Sequence, residues 1–489
     1  MKMPAFLTCL SLALAVGCGG GDVNGRPAAP DPFEPTLESL AAHQVPLWFE
    51  DAKFGIFIHW GPYSVPAYAD PLFAGLGIAG PSYAEWYWFW LMRIRWPSTL
   101  AYHLCTFGTN IVYDDFLDLW HAEGFDAGEL VELIRRSGAQ YAVLVTKHHD
   151  GVALFDSATT GRNTAALGPG RNLVEEWTRA MRSAGLKVGF YYSLYEWFHP
   201  LYPSDAAYWG LLPKMDPINP FTLEPVPYQG LLPETREYVA DHMLPQLFEL
   251  VDGYRPDLLW FDGGWDRPES YWRTNEVIAH FYNQAFREGR EVAVNDRGGE
   301  GSHGDFETPE YEVFNDIREH HWEATRGIGF SFGYNHFETE REYLSSDQLV
   351  DMLVDVVSKN GNLLLNIGPR ADGTVISLME ERLRDVGEWL AINGEAIYGS
   401  KPWMQAAEGW LRFTVRGDKF YVTALEWPGD ELRIEAAVPV HSGDRVVLLG
   451  REEESLTFRF EDGAMIITMP PGGPEAQPSC FAWVFRISP

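Results

Sequence analysis

The stretch Trp260-Phe261-Asp262-Gly263-Gly264 places a carboxylate at the end of an apolar run and directly before two glycines. A carboxylate in this position, where glycines let other groups approach, is suited to act as a nucleophile or to stabilise positive charge. An Asp that follows a strand also commonly caps the next helix through its side-chain oxygen. The residues around Asp262 alone leave both roles open.

A second candidate carboxyl group lies in Thr308-Pro309-Glu310-Tyr311, and a third lies in Trp322-Glu323. Burial beside aromatic rings disfavours the charged form of a carboxyl group and raises its pKa, as a general acid requires. Most of the 69 acidic residues are expected to be solvated instead. Glu307, Glu312 and Glu319 are close neighbours, so composition does not select among these glutamates.

Histidines end two of the apolar runs, at His59 and at His148-His149-Asp150. Adjacent residues of a strand point to opposite sides, so His148 and His149 are poorly placed to bind one ion together. No HExxH or CxxC motif completes a zinc site. The pattern therefore favours hydrogen bonds to a substrate over metal binding, and for His59 a satisfied core histidine is the alternative.

Arg297, in Asn295-Asp296-Arg297, is suited to orient a substrate hydroxyl or a carboxylate. A structural ion pair with Asp296 or Glu310 explains the same residue equally well.

Two kinds of pattern alternate along most of the chain and must position these side chains. Short apolar runs bounded by Gly or Pro predict buried parallel strands at 54–59, 140–149, 187–193, 257–263, 292–297 and 361–368. Amphipathic stretches predict helices at 126–137, 172–184, 235–251, 275–286, 346–358 and 378–392. This alternation over about 350 residues predicts a parallel α/β fold whose size suits a (β/α)8 barrel.

Nearly every predicted strand ends in a polar residue. In a (β/α)8 enzyme the active site is assembled from the C-terminal ends of many strands. An open doubly wound sheet concentrates its chemistry at one crossover, often with a Gly-rich phosphate loop. Neither GxGxxG after a strand nor GxxxxGK[ST] is present. We therefore expect a (β/α)8-like barrel enzyme at residues 41–398 that uses no nucleotide, metal or other cofactor.

The pattern changes after about residue 398. Seven short strand-like segments separated by Gly, Asp or Pro follow, and Glu461-Asp462-Gly463 is a typical hairpin connection. Residues 399–489 are accordingly predicted to form a small antiparallel β-sandwich.

The N-terminus resembles a processing segment. Residues 1–17 carry a positive charge followed by an apolar stretch, as in a secretory signal peptide. Ala15-Val16-Gly17-Cys18 resembles a bacterial lipoprotein cleavage site with Cys18 as the lipidated residue, and a plain signal peptide is the alternative. Residues 18–40 are predicted to be a flexible tether. Beyond Cys9 and Cys18, only Cys105 and Cys480 remain, which suits one optional bridge or two buried thiols.

Composition excludes several classes of partner. The formal net charge is −32 at pH 7, and no long basic stretch offsets it. A nucleic-acid partner is therefore excluded, and an anionic membrane surface would repel the folded part. Membrane association is expected only through the N-terminal lipid. The chain carries 19 Trp, 22 Tyr and 29 Phe, which suit a site that stacks sugar rings as well as a core.

Taken together, the motifs resemble the α-L-fucosidases of glycoside hydrolase family 29, in the same order from about residue 46 to residue 399. The matching segments are Phe54-Gly55-Ile56-Phe57-Ile58-His59-Trp60-Gly61, Glu85-Trp86-Tyr87, Thr146-Lys147-His148-His149-Asp150-Gly151, Gly189-Phe190-Tyr191-Tyr192-Ser193, Trp260-Phe261-Asp262-Gly263-Gly264, Val294-Asn295-Asp296-Arg297 and Ser331-Phe332-Gly333-Tyr334-Asn335.

The resemblance implies a (β/α)8-like barrel with a β-sandwich, and retaining hydrolysis of terminal α-L-fucosides through a covalent glycosyl-enzyme. It implies that Asp262 is the nucleophile and Glu310 the acid/base, with Glu323 as the second choice for that role. The positions that match the lining of the sugar pocket are His59, Glu85, Trp86, His148, His149, Tyr191, Trp260, Arg297 and Phe332. The implied partner is a fucosylated glycan or oligosaccharide, and a homo-oligomer is left open.

Three hypotheses follow from this pattern. The first is a retaining exo-α-L-fucosidase that is exported, as a periplasmic or cell-surface lipoprotein or in secreted form. The second is a related glycosidase on the same scaffold, such as an α-L-galactosidase, whose substrate differs from a fucoside at C6. The third is a non-catalytic carbohydrate-binding lipoprotein, which predicts the loss of a carboxylate. The segments 71–81 and 200–233 are unusual in composition and leave the linkage preference open.

Overall fold

The computed structural model describes residues 31–70, 72–73, 82–197, 199–202, 207–208, 212–213 and 217–489. The predicted signal peptide, Cys18 and the first part of the predicted tether lie outside these residues. Most of the 71–81 segment and parts of the 200–233 segment lie outside them too.

Helices and strands alternate through the first four fifths of the described chain. The α-helices are α1 Leu37–Leu40, α2 Leu47–Ala52, α3 Pro97–Phe107, α4 Asp115–Leu119, α5 Ala127–Arg136, α6 Leu173–Ser183, α7 Leu244–Tyr254, α8 Glu269–Trp272, α9 Thr274–Glu288, α10 Ser346–Ser358 and α11 Ser377–Asn393. The strands up to this point are β1 Phe54–Ile58, β2 Tyr141–Lys147, β3 Lys187–Ser193, β4 Ala207–Tyr208, β5 Leu212–Pro213, β6 Leu258–Asp262, β7 Ala293–Val294, β8 Trp322–Gly327 and β9 Gly361–Ile367.

Seven of these strands form one parallel sheet in the order β7-β6-β3-β2-β1-β9-β8. Residues 306–310 lie between its two edges. Phe306 makes a parallel bridge to Asn295 next to β7, and Glu307 and Glu310 make parallel bridges to β8. The 306–310 segment thus occupies an eighth strand position, and all eight positions follow chain order. This is the (β/α)8-like arrangement that the sequence predicts.

Side-chain caps start the helices where the sequence places polar residues. Asp126 and Asn172 accept backbone N–H groups at the first turns of α5 and α6. Ser345 and Gln348 form a reciprocal capping box at the start of α10. The apolar faces of these helices pack onto the parallel sheet, whose strands β1, β2, β6 and β9 are buried along their whole length.

Two strand predictions need correction. The strand predicted over 292–297 is only Ala293–Val294, because the Asn295 side chain takes over the pairing. Its Oδ1 accepts the Phe261 N–H at 2.7 Å, and its Nδ2 donates to the Phe261 carbonyl at 2.9 Å. Strand β8 was missed altogether, because Glu323 and Thr325 interrupt its apolar pattern although both are buried.

The C-terminal domain consists of two antiparallel sheets that share one apolar core. Its strands are β10 Lys401–Glu408, β11 Leu411–Arg416, β12 Lys419–Ala424, β13 Glu431–Ile434, β14 Arg445–Leu448, β15 Phe458–Glu461, β16 Ala464–Thr468 and β17 Trp483–Ser488. The sheet orders are β10-β11-β12-β17-β14 and β13-β16-β15. The sandwich is joined to the barrel by hydrogen bonds such as that from Trp389 Nε1 to the Ala482 carbonyl, at 2.9 Å.

The segment before the barrel is more ordered than a tether. The Phe33 N–H donates to Asn283 Oδ1 at 3.0 Å, and Asn283 Nδ2 donates back to the Phe33 carbonyl at 2.7 Å. Leu40 in α1 is fully buried. The tether prediction for 18–40 is therefore too long at its C-terminal end, because apolar residues there have a surface on the barrel to pack against.

The sequence expectation for the two downstream cysteines was wrong. Cys105 on α3 and Cys480 before β17 are both exposed and unpaired, so they are neither bridged nor buried.

Within the part of the chain that the structure describes, no helix is both long and apolar enough to cross a membrane.

Candidate active site

A cavity of about 250 Å³ opens at the C-terminal ends of the barrel strands. All eleven side chains predicted as catalytic or substrate-binding line it. They are His59, Glu85, Trp86, His148, His149, Tyr191, Trp260, Asp262, Arg297, Glu310 and Phe332. Side chains two residues apart on one strand face the same side of the sheet, which explains why some of these residues point into the same cavity.

Asp262 is the last residue of β6 and is 8% exposed. Tyr191, from the neighbouring strand β3, donates its hydroxyl to Asp262 Oδ2 at 2.8 Å. Gly263 has a φ of 75°, and a Cβ there would lie 2.7 Å from the Tyr195 Cβ, so only glycine fits. This turn ends β6 immediately after the carboxylate and leaves Asp262 at the wall of the cavity.

Glu310 is the last residue of the 306–310 segment, and its backbone is fixed by β8. The Thr325 N–H donates to the Pro309 carbonyl and the Tyr311 N–H to the Thr325 carbonyl, both at 3.0 Å. The side chain of Glu310 is 32% exposed at the cavity mouth, and Tyr83 donates its hydroxyl to Oε1 at 3.2 Å.

Arg297 joins the two carboxylates. Its Nη1 lies 3.3 Å from Asp262 Oδ1 and 3.0 Å from Glu310 Oε2. Its Nε and Nη2 donate to the side chain and the carbonyl of Thr308, at 2.9 and 2.8 Å. The guanidinium also packs on the Trp260 ring, 4.6 Å from its centroid. All three guanidinium nitrogens therefore make contacts, and the ion pair with Glu310 that the sequence left open is present.

Glu323 lies beneath the cavity and does not line it. It is fully buried, its Oε1 accepts the Trp260 Nε1–H at 3.0 Å, and its Oε2 accepts the Tyr141 hydroxyl at 2.5 Å. Burial raises the pKa of Glu323 to about 7. The contacts of Glu323 thus hold the Trp260 ring in place and leave neither of its oxygens facing the cavity.

His59 presents a hydrogen-bond acceptor to the cavity. Asn366 Nδ2 donates to the Phe332 carbonyl at 2.6 Å, which turns Asn366 Oδ1 toward His59 Nδ1, 2.7 Å away. Nδ1 must then carry the ring proton. Burial lowers the pKa of His59 to about 3, so the ring is neutral and Nε2 keeps its lone pair.

His149 also presents a hydrogen-bond acceptor, its Nε2, to the cavity. Ser193 Oγ donates to the Tyr195 carbonyl at 2.6 Å, so it accepts from His149 Nδ1, also at 2.6 Å. Burial, with a contribution from the Lys147 charge, lowers the pKa of His149 to about 3. Its Nε2 lies 3.7 Å from Asp262 Oδ2 and is an acceptor. Both histidines are therefore suited to accept hydrogen bonds from sugar hydroxyls rather than to supply positive charge.

Glu85 is buried in the cavity wall at 1% exposure. Its Oε2 accepts the Gly333 N–H at 2.8 Å and the Ser331 hydroxyl at 3.3 Å. Burial nevertheless raises the pKa of Glu85 to about 8. The neutral form of Glu85 is therefore favoured at pH 7, so its carboxyl group can both donate and accept a hydrogen bond.

Four residues that line the cavity were not predicted from the sequence: Phe57, Tyr83, Trp265 and Thr325. Phe57 stands two residues before His59 on β1, so the strand period could have identified it. Trp265 directly follows the glycine pair, and Tyr83 stands two residues before Glu85. Thr325 lies on β8, the strand that was not predicted, and no sequence pattern marked it as a cavity residue.

His148, His149 and Asp150 do not form a three-ligand metal cluster among the described residues. Asp150 is turned away from the cavity and accepts the Tyr113 hydroxyl at 2.6 Å. His148 and His149 both line the cavity, and their contact with a substrate stays a prediction.

A cavity of this size with aromatic walls, neutral imidazoles and two carboxylates held by one arginine, at the top of a (β/α)8-like barrel, defines a glycoside hydrolase. Comparisons with known proteins agree. Residues 23–395 match the family model for alpha-L-fucosidase, and residues 406–488 match the model for the alpha-L-fucosidase C-terminal domain.

Related proteins match along almost the whole chain. The alpha-L-fucosidase of Dictyostelium discoideum is 34% identical, over 93% of this chain and 95% of its own length. The human tissue alpha-L-fucosidase is 33% identical, over 98% of this chain and 96% of its own. The crystal structure of the Thermotoga maritima alpha-fucosidase in complex with fucose is 38% identical, covers 93% of this chain and 100% of its own, and has a TM-score of 0.76.

The chain therefore belongs to the α-L-fucosidase family, glycoside hydrolase family 29, and it is an α-L-fucosidase. The non-catalytic alternative lacks support, because both carboxylates are present and line the cavity.

Glu85→Gln should make the free energy of unfolding less sensitive to pH. The pKa of Glu85 in the folded protein, about 8, is raised above its ordinary value of 4.5. The carboxyl group therefore contributes stability that is fully present below pH 4.5 and is lost as the pH rises to about 8. We expect the unfolding free energy of the wild type to fall relative to Glu85→Gln by more than about 1 kcal/mol between pH 5 and pH 8.

Denaturant titrations at several pH values measure this difference. Glu312→Gln, at an exposed glutamate outside the cavity, controls for the loss of one titrating carboxyl group. A difference between wild type and Glu85→Gln that stays constant across this pH range would contradict the raised pKa.

Proposed function

We propose that the protein is a retaining exo-α-L-fucosidase, which hydrolyses terminal α-L-fucosyl linkages of glycans through a covalent glycosyl-enzyme on Asp262. The observation that carries this proposal is the bridge made by Arg297. One nitrogen, Nη1, contacts Asp262 Oδ1 at 3.3 Å and Glu310 Oε2 at 3.0 Å.

The bridge limits the separation of the two carboxylates. Their nearest oxygens cannot be farther apart than these two contacts placed end to end. This limit makes the two carboxyl groups close neighbours. It is compatible with the ~5–5.5 Å of retaining enzymes. The short separation supports direct attack by one carboxylate.

In the first step, Asp262 attacks C1 of the fucosyl group while Glu310, protonated, gives its proton to the glycosidic oxygen. The C1–O bond to the leaving group breaks, and an ester bond between C1 and Asp262 forms. Arg297 and the Tyr191 hydroxyl stabilise the ionised form of Asp262 before the attack, and both contacts are present without substrate.

In the second step, Glu310 is a carboxylate and removes a proton from water, which attacks C1 and releases Asp262. Negative charge thus moves from Asp262 to Glu310 in the first step and returns in the second. Because Arg297 Nη1 contacts both groups, it stabilises whichever carboxylate is charged. The partial exposure of Glu310 lets leaving group and water reach it.

The cavity supports removal of a single terminal sugar. Its volume of about 250 Å³ lies just below the usual range for small-molecule sites, about 300–1,000 Å³, so it accommodates one ring rather than a chain. Aromatic faces suit the 6-methyl group of fucose, and the His59 and His149 acceptors suit its hydroxyls. The related Thermotoga maritima enzyme has been crystallised with fucose, which supports the same ligand here.

Asp262→Asn should lower the hydrolysis of 4-nitrophenyl α-L-fucoside at least ~1,000-fold, because an amide is a poor nucleophile.

Glu310→Ala should lower the turnover of substrates with poor leaving groups most. Azide should partly restore the turnover of this variant by replacing the missing acid/base residue at the second step. Initial rates with an activated and a natural fucoside measure both effects.

The control for the acid/base variant is Glu312→Ala, at an exposed glutamate that does not line the cavity. Its rates should match the wild type. Rescue by azide in Glu323→Ala but not in Glu310→Ala would contradict the assignment, and wild-type turnover by Asp262→Asn would exclude Asp262 as the nucleophile.

We also propose that the protein is exported and is held at a membrane by a lipid on Cys18. The charged and apolar residues 1–17 and the small residues before Cys18 support this. The described chain contacts the barrel from Asp31 onward, through the ion pair of Asp31 with Arg287 at 2.6 Å and the hydrogen bonds between Phe33 and Asn283.

Mass spectrometry of the mature N-terminus tests the anchor. We expect a first residue Cys18 that carries a diacylglycerol-type mass addition. An unmodified N-terminus that starts beyond Cys18 would contradict the lipid anchor and leave plain secretion.

A further inference from the structure

Three potential metal ligands meet on the outside of the barrel wall, away from the catalytic cavity. His43 Nδ1 lies 2.9 Å from Asp305 Oδ1, and His303 Nε2 lies 3.3 Å from the same oxygen. One ligand comes from the segment between α1 and α2, and the other two come from the loop before the 306–310 segment. None of the three lines the cavity.

The spacing of the ligand atoms fits a tetrahedral ion. One donor atom from each of the three residues lies within 4.8 Å of the other two. Ligand atoms about 2.0–2.1 Å from a tetrahedral zinc ion are roughly 3.3 Å apart. The two histidine-to-carboxylate distances are already close to that value, so an ion could enter with small side-chain movements. The side chains of His43 and His303 are 13% and 12% exposed, which leaves the donor atoms a path to solvent.

Surrounding groups orient these ligands as second-shell contacts do in metal sites. The other oxygen of Asp305, Oδ2, accepts the Tyr282 hydroxyl at 2.7 Å and the Val294 N–H at 2.9 Å. These bonds leave Oδ1 directed at the histidines. The His43 ring stacks on Tyr282 with centroids 3.7 Å apart and an angle of 10°.

Asp305 contacts His43, His303 and Tyr282 through its two carboxylate oxygens. Among the described residues, no Lys or Arg forms an ion pair with Asp305. The side chains that contact its Oδ1 are the two imidazoles.

A second cluster of three potential metal ligands differs from the Asp305 cluster because it already has a lysine partner. Glu196, His199 and His242 also converge, but the Lys147 ammonium lies 2.7 Å from Glu196 Oε1. A cation is thus already supplied to that buried carboxylate by the protein itself. Of the two three-ligand clusters in the described chain, only the one around Asp305 lacks an ion pair with a Lys or Arg.

We propose that His43, His303 and Asp305 form a structural site for a divalent transition-metal ion, with zinc as the best fit to two imidazoles and one carboxylate. Water completes the tetrahedron. The ion fastens the segment between α1 and α2 to the loop that leads into the 306–310 segment, which ends in Glu310. This site lies apart from the catalytic cavity.

Zinc binding to the full-length protein, stripped with EDTA and dialysed, tests the proposal. We expect isothermal titration with ZnCl2 to show one equivalent that depends on these residues, and excess zinc to raise Tm by about 3–5 °C. His43→Gln and His303→Gln should each lose this equivalent and the rise in Tm. Two variants are used so that a folding defect in one does not remove the test.

The matched control is His280→Gln, which removes a histidine from an exposed pair with a single carboxylate, Asp252, at 2.7 Å. It should bind zinc like the wild type. Cobalt(II) gives a readout that needs no variant, because four-coordinate cobalt absorbs visible light and zinc should displace it. A wild type with no zinc equivalent, or a zinc effect that persists in both His43→Gln and His303→Gln, would overturn the proposal.

Discussion

The contact of one guanidinium with two carboxylates is the interaction on which the active site depends. Asp262 ends a barrel strand and Glu310 ends an irregular segment, so nothing in the backbone alone would hold their side chains together. Arg297 does so, and its other donors are bound to Thr308, which belongs to the same segment as Glu310. Burial lowers the pKa of Arg297, but the charges of Glu310 and Asp262 more than offset this effect and raise it. Removing Arg297 would leave two neighbouring carboxylates without the cation that lies between them.

Apart from Asp262, Glu310 and Arg297, the cavity is close to neutral. Burial lowers the pKa of His59 and His149 and raises that of Glu85, so each is held in its uncharged form around neutral pH. Neutral groups bind a neutral sugar through hydrogen bonds and add no further charges around the sugar ring. The positive charge that develops on the sugar ring therefore meets mainly the carboxylate of Asp262, which is the arrangement that favours the transition state over the bound substrate.

Much of this arrangement could be predicted from the sequence, because it rests on regular strands. His59, Tyr191 and Asp262 stand at or near the ends of apolar runs whose parallel pairing brings those ends to one rim. The sequence did not predict the position of Glu310 relative to Asp262, since the 306–310 segment forms only isolated bridges and has no strand pattern. It also missed β8, because the barrel interior there contains the polar residues Glu323 and Thr325. Asn295 shortened β7 through side-chain pairing that no periodicity reveals.

The stereochemistry of the first product tests most directly whether Arg297 holds the two carboxylates close enough for direct attack. Proton NMR can follow the anomeric signals of fucose during the first minutes of hydrolysis, before mutarotation mixes the anomers. If Asp262 attacks C1 and water then displaces it, α-L-fucose must appear first and β-L-fucose only later. Initial formation of β-L-fucose would mean that water attacks the substrate directly, and it would contradict the covalent role of Asp262.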